Sequence, residues 1–162
     1  MDSMVKKIKL FLTDVDGVLT DGGMYYSASG DEMKKFNTRD GVAFELLHEV
    51  GIKTGMITSE TTKIVENRAK KLKIDYLVQG KKAGGKLTSA QEICKKEGIT
   101  LDEVAYIGDD INCIDLLSAV GLKACPADAS EKVKRISGII ILAKKGGEGA
   151  VREFVENYLL DS

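Results

Sequence analysis

The segment Phe11-Leu12-Thr13-Asp14-Val15-Asp16-Gly17 sets two carboxylates one residue apart at the end of an apolar run. Such a run reads as a buried strand. Side chains alternate along a strand, so Asp14 and Asp16 reach one site only if the chain turns after Asp14. Gly17 is placed to permit that turn. Two buried carboxylates without a counter-charge are strongly unfavourable. A hard cation with oxygen ligands resolves the conflict, and magnesium (Mg2+) fits best. A lone Asp-x-Asp more often caps a helix or sits on a surface loop. Here an apolar strand leads in, and a second acidic cluster, Gly108-Asp109-Asp110-Ile111-Asn112, follows another one. Asp110 suits a helix cap, and Asp109 is the predicted metal ligand.

These residues must be positioned by the elements around them. Ile8–Thr13, Lys53–Thr58, Asp75–Val78, Val104–Ile107, Leu122–Ala124 and Ile139–Leu142 read as short strands. Between and after them, Gly41–Val50, Glu60–Leu72, Lys86–Glu97, Asn112–Val120, Ser130–Ile136 and Glu148–Leu160 read as helices. Alternation of this kind predicts an α/β fold, a Rossmann-like parallel sheet with helices on both faces. Ligands of such sheets bind at the carboxyl ends of the strands, where Asp14, Asp16, Thr58, Asp109 and Asp110 fall. One segment breaks the rhythm. Met24–Tyr26 and Met33–Asn37 flank the turn-forming Ser27–Asp31, which predicts a β-hairpin inserted at about residues 23–38 of a single domain spanning 1–162.

Length and composition set the bounds. A chain of 162 residues is long enough for one domain with its own core. With 24 basic and 25 acidic residues and a net charge of -1, nothing favours nucleic acid or an anionic membrane as partner. No apolar run approaches the ~20 residues of a membrane span. Met1 to Lys7 precedes an apolar run broken at Asp14, which does not read as a signal peptide. Cys94, Cys113 and Cys125 are odd in number and widely spaced, so reduced thiols in a cytoplasmic protein are expected.

Asp-x-Asp-Gly-Val-Leu-Thr, Thr58 after a strand, Lys86 and then Gly-Asp-Asp, in that order, resemble the haloacid dehalogenase superfamily. More narrowly, the stretches Asp16 to Gly23, Phe36 to Gly41 and Gly146 to Gly149 resemble the 3-deoxy-octulosonate 8-phosphate phosphatase group, including relatives acting on nine-carbon sialic-type acid 9-phosphates. The resemblance covers nearly the whole chain and implies a phosphatase with a minimal cap. It implies Asp14 as nucleophile and Asp16 as the acid that protonates the leaving alkoxide and then activates water. It further implies magnesium on Asp14, Asp109 and the backbone carbonyl of Asp16, with Thr58 and Lys86 on the phosphoryl oxygens. The implied substrate is a small phosphorylated sugar acid, and the implied assembly a homotetramer whose subunits screen each other's sites. Thr38, Arg39, Glu60, Arg68 and Lys71 are the implied substrate-binding positions. Their signals conflict: Arg39 looks like the octulosonate enzymes, while Glu60 and Lys71 look like the nine-carbon group, which is slightly favoured. Glu60, Ile64, Arg68 and Lys71 are read as one helix face, which a surface ion-pair ladder would explain equally well.

Several readings compete. Ser59 competes with Thr58, and Lys82 with Lys86. Gly80 to Leu87 nearly spells a nucleotide-binding P-loop, but Leu87 stands where a hydroxyl is needed, although Thr88 is adjacent. The loop before Lys86 is longer than the family usually has. Cys113 replaces the last carboxylate of the common Gly-Asp-Asp-x-Asn-Asp pattern, which predicts weaker metal binding. It is also the best support for the alternative of a catalytically silent binding or scaffolding module. A phosphorylated receiver domain fails on the order of its acidic residues. Gly146 to Gly149 reads equally as a flexible tail over the substrate or as a loop into the last helix. His48 reads as structural.

Overall fold

The computed structural model describes residues 7–30, 32–81 and 84–160. Residues 1–6, Asp31, Lys82, Ala83 and residues 161–162 lie outside them, so the turn expected at Ser27–Asp31, the rival Lys82 and the near-P-loop at Gly80 to Leu87 fall partly there. Six strands form one parallel sheet: β1 (Leu10–Thr13), β4 (Lys53–Ile57), β5 (Tyr76–Val78), β6 (Val104–Ile107), β7 (Leu122–Cys125) and β8 (Ile140–Ile141). Their order is β5-β4-β1-β6-β7-β8. Two further strands, β2 (Tyr25–Tyr26) and β3 (Glu32–Met33), pair antiparallel as a separate hairpin.

The central strand shows why the sheet is covered on both faces. Leu10, Phe11, Leu12 and Thr13 are all fully buried, and the period-2 alternation sends them to opposite sides. Phe11 joins a core with α1 (Thr38–Glu49), α2 (Lys63–Lys71) and α6 (Ala150–Phe154). Its ring meets Phe44 edge-on, with centroids 5.9 Å apart, and lies 6.0 Å from Phe154. Leu10 and Leu12 join the other core with α3 (Gly85–Glu97), α4 (Ile114–Ala119) and α5 (Glu131–Lys134). The chain builds outward from β1 to β4 and β5, then crosses to β6 on the other side. The strand order therefore reverses between β1 and β6, where such sheets place their ligand crevice.

Most elements appear where the periodicity predicts them, and the differences have local causes. Helix α2 starts at Lys63, because the Thr62 hydroxyl accepts the Val65 N–H at 3.1 Å and caps it. Glu60 therefore precedes the helix, which corrects the expectation that it shares a face with Ile64, Arg68 and Lys71. The second hairpin arm leaves its pairing after Met33. The side chain of Lys34 turns inward, and Asn37 accepts the Arg39 N–H at 2.8 Å as the cap of α1. The last helix opens only after Gly149, whose φ is +102°, and widens into a π-type turn over Val155–Leu159. Gly146 to Gly149 forms a packed loop rather than a tail. A Cβ on Gly146 would strike the Gly17 carbonyl, and the Gly147 N–H donates to the Val18 carbonyl at 3.0 Å. No helix among the described residues is long and apolar enough to cross a membrane.

Candidate functional site

Asp14 directly follows β1, and its N–H still donates to the Ile107 carbonyl of β6 at 3.1 Å. The main chain then leaves the sheet in a tight turn, with Val18, Leu19 and Thr20 all donating back to the Val15 carbonyl. Gly17 sits in this turn at φ +85°, and a Cβ there would fall 2.7 Å from Asp109 Cγ and closer still to Oδ2. Glycine is thus required twice, for the left-handed backbone and for the approach of the Asp109 carboxylate.

Asp14 is 5% exposed and held by three groups. Its Oδ1 accepts the Val15 N–H at 2.8 Å and lies 3.2 Å from Lys86 Nζ; its Oδ2 accepts the Cys113 thiol at 3.3 Å. Lys86, 1% exposed at the start of α3, also donates to Cys113 Sγ at 3.7 Å. Burial opposes the charge on Lys86, but Asp14 and Cys113 outweigh it and leave the pKa raised. Ligand atoms of Asp14, Asp109 and Cys113 all lie within 4.8 Å of one another. Burial, followed by the charge of Asp14, pushes the Asp109 carboxyl up to about 8. Two acids that cannot comfortably ionise together fit a divalent cation, whose charge would reverse that penalty. Burial and Asp14 also push the Cys113 thiol up to about 11, so it is a neutral donor at pH 7. Tyr106 lies fully buried beside Cys113, and the two close on the Cβ position of Gly108.

Asp16 is brought to the same turn, but its carboxylate does something the local sequence did not foretell. Oδ1 accepts from Lys34 Nζ at 2.7 Å, and the Lys34 side chain is completely buried. The one available signal was alternation in the hairpin arm: with Met33 exposed, Lys34 faces the other way.

Thr58, 1% exposed, follows β4 next to β1, and its Oγ1 accepts the Glu60 N–H at 3.4 Å. Ser59 donates to the Lys81 carbonyl at 3.0 Å and receives Asn112 Nδ2 at 2.9 Å, which ties the β4 and β6 ends together. Glu60 is exposed, and the pKa of the Tyr26 hydroxyl is raised mainly by its hydrogen bond to Glu32 and to a smaller degree by Glu60.

The other expected substrate-binding residues stand on α1 and α2. Arg68 stacks over the Phe36 ring, 5.1 Å from its centroid, and its Nη2 lies 2.9 Å from where a Gly41 Cβ would stand. Its buried Nε has no partner among the described residues, and neither does Asp40 Oδ2. Thr38, Arg39 and Lys71 are exposed. Arg39 lines a different cavity, of about 380 Å³, with Lys144, Glu148 and Arg152 in its walls and none of Asp14, Asp16, Thr58, Lys86 or Asp109. His48 Nε2 lies 3.0 Å from Thr54 Oγ1 and 3.2 Å from Asp75 Oδ2, a link between α1 and the start of β4.

Comparison with known proteins places this geometry among relatives. Residues 55–154 match the haloacid dehalogenase-like hydrolase family. The chain is 38% identical over 162 residues to the 3-deoxy-D-manno-octulosonate 8-phosphate phosphatase KdsC of Escherichia coli, with 98% of this chain and 84% of that one covered. It superposes on a probable YrbI-family phosphatase from Pseudomonas syringae with a TM-score of 0.89, at 41% identity over 93% of this chain and 84% of that one. It also superposes on the 3-deoxy-D-manno-octulosonate 8-phosphate phosphatase of Moraxella catarrhalis, solved with magnesium, phosphate and KDO. There the TM-score is 0.88, at 37% identity over 96% of this chain and 90% of that one.

Proposed function

Because the chain belongs to the haloacid dehalogenase-like hydrolases, in the group of the 3-deoxy-D-manno-octulosonate 8-phosphate phosphatases, and is a phosphatase, we propose that it hydrolyses the phosphate ester of a 2-keto-3-deoxy sugar acid with magnesium as cofactor. The observation that carries the reading is the convergence of Asp14, Lys86 and Asp109. A buried carboxylate lies 3.2 Å from a buried ammonium, with a second acid within 4.8 Å.

In this reading an Asp14 oxygen attacks phosphorus in line, and the ester P–O bond breaks as the aspartyl-phosphate forms. Asp16 passes a proton to the departing alkoxide, then takes one from the water that cleaves the acyl phosphate and frees Asp14. Lys86 and the Thr58 hydroxyl hold the equatorial oxygens, whose charge is greatest in the transition state. Magnesium, held by Asp14, Asp109 and the Asp16 carbonyl, would supply positive charge to the same oxygens. Cys113 keeps Asp14 and Lys86 in place as a neutral donor, so its presence does not by itself favour a silent module.

The octulosonate 8-phosphate is the first substrate to test, since the relatives described above act on or bind that sugar acid. A nine-carbon acid 9-phosphate is the second, because Glu60 is exposed just ahead of α2, where its charge is felt at Tyr26 of the hairpin. Arg68 and Lys71 serve the substrate, in this reading, across a subunit boundary of a homotetramer. The exposed Met24, Tyr25, Tyr26 and Met33 of the hairpin support such an assembly.

Phosphate release from both esters with and without magnesium tests the function. Asp14→Asn should abolish turnover while the melting transition persists, and full activity in that variant overturns the nucleophile assignment. Glu60→Arg should shift preference toward the octulosonate ester, and an unchanged ratio removes Glu60 as selector.

A further inference from the structure

We infer that Lys34 is a positioning residue of the reaction, the group through which the small hairpin holds Asp16 ready for the leaving group. The inference rests on Asp16 acting as the acid proposed above.

Three observations carry it. The Lys34 side chain has no solvent exposure, yet its ammonium ends 2.7 Å from Asp16 Oδ1. A buried lysine without a close counter-charge is strongly disfavoured, so its burial there needs this partner. Among the described residues, the hairpin's own arms are held by a short ladder, with Tyr25 opposite Met33 and Tyr26 opposite Glu32. Its large apolar side chains, Met24, Tyr25, Tyr26 and Met33, are exposed, so within one chain it is not packed down by an apolar face.

The polar contacts continue outward from Lys34. Glu32 Oε2 lies 3.9 Å from Lys34 Nζ and accepts the Tyr26 hydroxyl at 3.1 Å. A chain of charge and hydrogen bonds thus runs from Asp16 to Tyr26 in the hairpin. Asp16 is 22% exposed and stands in the turn beyond β1. With Oδ1 taken by Lys34, Oδ2 is the oxygen left to face the leaving group. Fixing one oxygen fixes the plane of the carboxyl, and with it the direction of proton transfer. Lys34 makes no claim on the phosphoryl group, whose cation is Lys86.

The test separates positioning from a general loss of structure. kcat/KM is measured for the sugar acid phosphate, whose alkoxide needs a proton, and for p-nitrophenyl phosphate, whose leaving group does not. Lys34→Met should lower the first on the order of 10²-fold and the second less than about threefold. Lys34→Arg should recover most of the loss. In an Asp16→Asn background, Lys34→Met should cost no more than about threefold further, since both changes act on one step. Equal losses on the two esters, or losses that multiply across the Asp16→Asn background, overturn the inference. If Lys34→Met does not fold, Lys34→Gln carries the same comparison. If wild type turns over and Asp16→Asn discriminates the esters while the Lys34 variants do not, this inference alone fails. If Asp16→Asn does not discriminate them, the acid role of Asp16 fails and the inference falls with it.

Discussion

Gly17→Ala is the sharpest test of how closely the two acidic loops must approach. The new methyl would stand 2.7 Å from Asp109 Cγ, against about 3.5–4.0 Å for an ordinary carbon–carbon contact. With Oδ2 closer still, Asp109 or the Asp16–Gly17 turn must therefore retreat by at least about 1 Å. A displacement of that size at a reacting centre costs on the order of 10²-fold in rate. It would also spread the metal donors, weakening the divalent ion about tenfold or more. Separately, alanine at φ +85° costs about 1–2 kcal/mol in backbone strain. That lowers the melting temperature by about 2–8 °C for a domain of this size. A domain with a margin of about 5–15 kcal/mol stays folded at 25 °C after such a loss. The activity deficit therefore cannot be laid on unfolding. The assays are kcat/KM for phosphate release, calorimetric titration with Mg2+, and a thermal melt. A variant within threefold of wild type in kcat/KM, with unchanged Mg2+ affinity, would refute the argument that this glycine sets the distance between the acids.

Two further outcomes follow from other groups. Cys113→Asp puts a carboxylate beside Asp14 Oδ2 and Lys86 Nζ, where the thiol now lies at 3.3 and 3.7 Å. It should bind Mg2+ about tenfold or more tightly by titration while melting lower than wild type without the ion; unchanged affinity would show that this position does not reach the metal. Asp40 is buried, and that burial raises its carboxyl to about 6 from 3.8. A folded pKa above the unfolded one means that the native state holds the proton more tightly. The stabilisation is full below about pH 4 and is lost as pH rises toward and through 6, up to about 3 kcal/mol. Asp40→Asn should remove that slope from the stability–pH curve, measured by urea unfolding between pH 4 and 8. An unchanged slope would place the titration elsewhere.

The chain's own order of residues already carried much of the outcome. Apolar tetrads such as Leu10–Thr13 and Val104–Ile107 are buried on both faces, so hydrophobicity alone marks them as central strands. Acids directly after two such strands must emerge at the same end of a parallel sheet. Asp14 and Asp109 were therefore legible as a pair before any contact was known. What periodicity does not encode is which side chains meet across loops. Lys34 reaches Asp16 across 18 positions and Cys113 reaches Asp14 across 99, through contacts fixed by rotamer and packing. The sequence showed a cysteine where a carboxylate is usual, but only the fold decided that its thiol bridges Asp14 and Lys86. The fold also sets Arg68 over the Phe36 ring, with room left for it at Gly41, a placement that helical spacing does not encode. Local pattern fixes the end of the sheet at which chemistry can occur, because strand direction and burial are properties of short segments. The partner of each charge is settled only when distant segments close around it, because the cost of burying that charge is set by whatever the fold brings beside it.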